Sequence, residues 1–262
     1  MQPNIGCIAA LLAIGLSAAG TAAQQGRLAD SELAAITARG RALAAYDQAV
    51  WHATDAVETA NPRNADGQHC LARFENERWT VVFGSLNADR TRFLISYEAM
   101  QQAKPGSFRV TQQQPPREDS GFYLFAALAL ETALADFGRP SRPFSAAVLP
   151  AAGDGFYVYL YPAQQKAGSY PLGGDVRYRV SAGGENILEK RPLHKTILET
   201  VPGRNKKKVS GVHTHVTGDV PEDSDVLHVL QQDPPVPEII STAHFVYEIL
   251  TDGSIRVRQE KK

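Results

Sequence analysis

The chain of 262 residues is 43% hydrophobic and 21% charged, with 27 Lys and Arg against 28 Asp and Glu. That suits one large globular domain or two small ones and excludes a disordered or fibrous chain. A formal net charge of -1 with both signs interspersed gives no electrostatic reason to bind nucleic acid or an anionic membrane. Lys206-Lys207-Lys208 is too short to change that and reads as a solvated strand edge or loop.

Ile5 to Leu16 is an apolar run, and the small residues from Ala18 to Ala23 offer a cleavage site before Gln24. Residues 1–23 therefore read as a signal peptide whose apolar stretch is too short to span a bilayer. The expectation is a periplasmic or secreted protein that keeps no membrane span once the signal is removed. Cys70 is then the only cysteine, so no internal disulfide can form. His69 beside it points to the opposite face of a strand, which favours a buried thiol over a nucleophile.

From Asp30-Ser31, Leu33, Ile36, Leu43, Tyr46, Val50, Ala53 and Val57 recur at helical spacing until Asn61-Pro62. Leu71–Phe74, Trp79–Gly84 and Phe93–Tyr97 read as an antiparallel meander, with Phe108–Thr111 as a fourth strand. The polar stretch 112–119 is the best boundary, dividing a helix and meander region (24–117) from an α+β region (118–262) that can be continuous with it. Asp119-Ser120 caps a helix over 122–137 that is apolar almost all round, hence buried, and Gly138 and Pro140 end it. Strands follow at 144–149, 156–161, 176–180, 193–198 and 209–215, then a short helix at 222–232. A final hairpin, 239–250 with 254–258, turns at Asp252-Gly253. The fold class is α+β, with a mostly antiparallel C-terminal sheet.

His213-Thr214-His215, followed by Asp219, Glu222, Asp223, Asp225 and His228, gathers more metal-ligand types than any other stretch. If residues 206–215 form a strand, its two-residue period puts both imidazoles on one face, within reach of one ion. Asp225 or His228 in the first turns of the next helix can swing a third ligand back to it. Zinc favours such ligands. The bland reading is that the histidines are half-exposed strand residues and the acids serve the helix N-terminus. His194, His228 and His244, each among apolar neighbours, read as structural histidines.

A strand ending in His-x-His, an acidic loop, a short helix and a hairpin resemble the JAB/MPN (JAMM) metalloprotease-like fold over roughly residues 140–258. The resemblance implies zinc held by His213, His215 and an Asp, with a Ser supporting its water and an upstream Glu as general acid/base. Val216 stands where that family has Pro. Asp225 takes the Asp place only with a shortened loop, which puts Glu222 in the Ser place. Glu185, Glu189 and Glu199 are the upstream acids open to the acid/base role, and Glu189 is carried forward with Glu222 as the catalytic pair. The implied reaction is hydrolysis of an amide or isopeptide bond in a peptide or protein. Two alternatives stand beside it. His194-x-Thr196 and His215-x-Thr217 look like the paired motif of the two-histidine phosphoesterases, although their spacing is short. The other is a non-catalytic envelope protein that binds or supports through its aromatic strands.

Overall fold

A computed structural model describes residues 19–60, 68–200, 210–216 and 218–260. Residues 1–18 of the expected signal peptide, the turn expected at 64–67 and residues 206–209 of the expected strand lie outside them. The architecture is α+β: three helices and fourteen strands in three four-stranded sheets and one two-stranded ribbon among the described residues.

Helix α1 (Ala19–Ala60) begins eleven residues before the expected Asp30 and presents one stripe to the core: Leu33, Ile36, Leu43, Tyr46, Ala49, Ala53 and Val57 are all buried. The meander forms as expected from β1 (His69–Glu75), β2 (Arg78–Leu86), β3 (Phe93–Gln101) and β4 (Phe108–Asp119), paired in sequence order. Residues 112–119, read as a polar break, are instead the second half of β4; a shift of register between Ile95 and Tyr97 lets the polar segment pair again with β3. The side chain of Asp119 does cap α2 (Phe122–Phe137), accepting from the amides of Tyr123 and Leu124 at 3.0 and 3.2 Å.

A second antiparallel sheet consists of β5 (Phe144–Pro150), β6 (Phe156–Pro162), β8 (Val176–Val180) and β9 (Ile187–Pro192), with the β7 (Tyr170–Leu172) and β10 (Leu198–Thr200) ribbon beside it. Alternation divides the strands of both sheets between two cores. Leu71, Val82, Val148, Val158 and Leu160 pack on α2, while Ala72, Val81, Ala147, Tyr159 and Tyr161 face α1. Helix α2 is apolar on most faces because strands of both sheets pack on it, while Phe125 and Leu134 stay exposed. Leu43, fully buried in the second core, contributes on the order of 1.5–3 kcal/mol.

The last sheet joins β11 (Gly211–Thr214) to β12 (Glu238–Ser241) in parallel, and β12 to β13 (Phe245–Ile249) and β13 to β14 (Ile255–Glu260) in antiparallel. Helix α3 (Asp223–Gln231) is the crossover between the parallel pair. The expected single arm 239–250 is two strands, because the chain reverses at Thr242, whose hydroxyl accepts from the Phe245 amide at 3.0 Å. The expected two-residue turn at Asp252-Gly253 has three residues, closed by Leu250 N–H to Ser254 O at 2.8 Å, with Gly253 at φ +80°. Helices α1 and α3 cross at Gly40, where an added Cβ would lie 2.7 Å from the Asp223 carbonyl oxygen, so only a glycine admits this approach.

Candidate metal centre

Strand β11 delivers the histidine pair as its period requires: Gly211, His213 and His215 are buried while Val212, Thr214 and Val216 are exposed. The amide of His215 donates to Ser241 O at 2.9 Å, which prolongs the pairing with β12 and holds both rings on the side where α3 lies. Asp225, fully buried in the first turn of α3, meets them. One Asp225 oxygen, Oδ2, accepts the Glu222 amide at 2.7 Å and completes a capping box; the other, Oδ1, is buried and faces the imidazoles.

His194 completes the group. Residues 193–198, expected as a strand, are mostly a connection between β9, which ends at Pro192, and β10. The connection is held at Leu193 N–H to Asp175 O, 3.0 Å, and it packs so tightly on Gly173 (φ +94°) that a Cβ there would overlap the Thr196 carbonyl. His194 Nε2 is 3.0 Å from His215 Nε2 and 3.1 Å from Asp225 Oδ1. His213 Nε2 is 3.1 Å from both His215 Nε2 and Asp225 Oδ1. The four ligand atoms all lie within 4.8 Å of one another.

The opposite ring nitrogens show what this arrangement requires. Nδ1 of His194 faces Asp175 Oδ1 at 2.8 Å, Nδ1 of His213 faces Glu238 Oε1 at 2.9 Å, and Nδ1 of His215 faces the Val220 carbonyl at 3.2 Å. Each partner is an acceptor, so each Nδ1 carries the proton and each neutral ring turns a lone pair inward at Nε2. Three lone pairs and a carboxylate oxygen about 3 Å apart repel unless protons or a cation stand between them. Carboxylates and a carbonyl behind metal-ligating imidazoles are the usual means of fixing that tautomer. The three inward lone pairs and the Asp225 carboxylate oxygen among them thus fit a divalent metal ion. Gly211 is part of the fit, because a side chain there would overlap the Glu238 carboxylate that supports His213.

Without metal the group holds protons instead. Burial opposes charge on His194, but Asp225 and Asp175 outweigh it and raise its pKa to about 11; Asp225 and Glu238 likewise raise His213 to about 9. Burial also works against ionisation of Asp225, yet the imidazoles, His194 foremost, hold it well below the usual carboxylate range. These raised values stabilise the metal-free fold fully below the ordinary histidine value of 6.5, and the contribution is lost as pH rises toward about 9 and 11. Metal competes with the same protons, so its stabilisation grows with pH over that window. Melting temperatures of metal-free and metal-loaded protein from pH 6 to 9 are expected to diverge; curves that stay parallel would contradict the assignment.

The expected catalytic pair is not among the converging atoms. Glu189 projects from β9 with its side chain 49% exposed, its carboxylate 4.0 Å from Arg177. Glu222 is buried at the N-terminus of α3 and paired with Arg191 at 2.7 Å; burial holds its pKa above the usual range. Glu199 pairs with Arg142 and Ser169, and Glu185 is exposed. His228 is buried on α3, and His244 is an exposed partner of Asp219. The cavity next to the cluster measures only about 10 Å³, whereas one of about 480 Å³ lies elsewhere, between α1, β1 and β5. No described helix is long and apolar enough to cross a membrane. No family model matches the chain, and no curated protein or solved structure is significantly similar to it.

Proposed function

We propose that this is an exported, periplasmic or secreted metalloprotein whose ion, zinc by preference, is held by His194, His213, His215 and Asp225 and serves to fasten the fold rather than to hydrolyse a substrate. The observation that carries this reading is His194 Nε2, which stands 3.0 Å from His215 Nε2 in the group and supplies a fourth protein ligand. Structural zinc has four protein ligands, whereas catalytic zinc keeps one position for water or substrate. Three imidazoles and one carboxylate suit a borderline divalent ion, and they need no cysteine in an oxidising compartment. Such an ion would tie together three segments from different parts of the chain: the β9–β10 connection, β11 and α3.

A second reading keeps the hydrolase. The order of a His-x-His strand, a helix carrying the Asp and a parallel return strand supports the JAMM resemblance, and zinc would supply Lewis acidity toward an amide or isopeptide bond. Contacts of 3.0–3.1 Å are also shorter than the edges of about 3.3–3.4 Å implied by a zinc tetrahedron with bonds of about 2.0–2.1 Å. That leaves room for a further ligand. Metal analysis of protein purified without added metal, followed by cobalt substitution, separates the two. One equivalent of metal and the intense visible bands of tetrahedral cobalt are expected. Weak bands of five- or six-coordinate cobalt, together with metal-dependent cleavage of peptide substrates, would overturn the closed centre in favour of the hydrolase.

A further inference from the structure

Resting on the metal-centre reading, we infer that a single buried water molecule joins Asp175 to Ser224, and that Ser224 is thereby a positioning residue for His194. Asp175, 3% exposed, uses Oδ1 to hold His194 Nδ1 at 2.8 Å. Its other oxygen, Oδ2, is buried with no partner in the protein, and so is the hydroxyl of Ser224, itself 5% exposed. Both residues line the same small cavity, of about 10 Å³, with Tyr161, Gly173, Leu227, His228 and Gln231 around them. Two orphaned polar atoms around a void of this size are what one water needs: room for about one probe sphere and at least two polar partners. A carboxylate oxygen left dry in such a place would forfeit on the order of a full hydrogen bond to an ionised group, so the water is strongly retained.

The chain of contacts then runs from helix to metal. The water donates to Asp175 Oδ2 and meets the Ser224 hydroxyl with its remaining capacity. Asp175 accepts from His194 Nδ1, and His194 Nε2 faces the ion. Ser224 neighbours Asp225 on α3, so one turn of helix would supply both a ligand and, through water, the support of a second ligand from a different part of the chain. Loss of the hydroxyl leaves Asp175 freer to turn, which loosens the imidazole it orients.

A crystal structure of the wild-type protein at high resolution, and zinc affinities measured by chelator competition, test the proposal together. A water peak within hydrogen-bond distance of both Asp175 Oδ2 and Ser224 Oγ is expected. Ser224→Ala is expected to lose about three- to tenfold in zinc affinity, below the effect of a direct support of a ligand, with the melting temperature of the metal-free protein unchanged. A void with no peak overturns the inference while the metal centre stands. An unchanged affinity in Ser224→Ala, or a loss matched by a lower metal-free melting temperature, overturns the positioning role. Wild-type protein that shows the peak but binds no zinc overturns the metal centre and Ser224's role with it, leaving only the water.

Discussion

Alanine at Asp225, or at His213 and His215 together, is expected to abolish stoichiometric metal uptake, with zinc content of the purified variants as the measurement. The two changes differ in what else they disturb. His213→Ala with His215→Ala removes two of three imidazoles and leaves the α3 capping box intact. Asp225→Ala removes both the ligand oxygen and the side chain that accepts the Glu222 amide at 2.7 Å, so it adds a capping loss of about 0.5–2 kcal/mol. It also leaves His194 and His213, whose protonation Asp225 supports, without their shared counter-charge. In the wild type a free metal concentration a thousandfold above Kd stabilises by about 4 kcal/mol, and that increment is absent from either variant. A melting temperature in the wild type that ignores chelator, or a double histidine variant that still carries one equivalent of zinc, would sink the assignment.

Asp223→Ala is expected to destabilise the protein by about 3–5 kcal/mol in urea unfolding, independently of metal. Asp223 is fully buried and accepts from Arg39 Nε at 3.0 Å, Arg177 at 2.6 Å and the Tyr159 hydroxyl at 2.8 Å. One carboxylate thus pairs with two guanidinium groups and joins α1, α3, β6 and β8 at one point. Truncating it leaves Arg177, whose side chain is 8% exposed, charged and without its nearest acid. The exposed Glu189, 4.0 Å away, is a poor substitute. The size of the loss comes from the stranded charge rather than from the net worth of the ion pair, so Asp223→Ala combined with Arg177→Met should recover much of it. Equal instability of the single and double variants would argue against that explanation.

His213 and His215 were legible because a strand has a fixed two-residue period and needs no tertiary knowledge to put alternate residues on one face. Asp225 was legible for a similar reason: helix start signals are local, and a first-turn acid after a short loop must return near the strand. His194 was not. Its neighbours Leu193, Ile197 and Leu198 imitate a strand, and what brings His194 into the group is the approach of two sheets, which no spacing within residues 190–200 encodes. The one local clue is Pro192, which ends β9 just before it. Element types followed from alternation and helical periodicity, but a strand break without Gly or Pro, such as Thr242-Ala243-His244, leaves no mark in composition. The pairing of polar residues 112–119 was hidden likewise, since an edge segment needs backbone partners more than apolar side chains.

Arg39 and Asp223 lie 184 positions apart, and the stripe of α1 that carries Leu33 and Ile36 packs against Val226, Val229 and Ile240. During vectorial synthesis, at roughly 5–20 residues per second, the Leu33–Arg39 part of α1 therefore waits on the order of ten seconds or more for α3, whereas its Leu43–Val57 part meets the earlier strands first. The closing of α1 onto α3 is a contact of very high order, made only after α3 has emerged. A chain arranged in this way can assemble most of its first two cores while it is being made, but leaves the Leu33 and Ile36 end of α1 uncovered until its last sheet arrives.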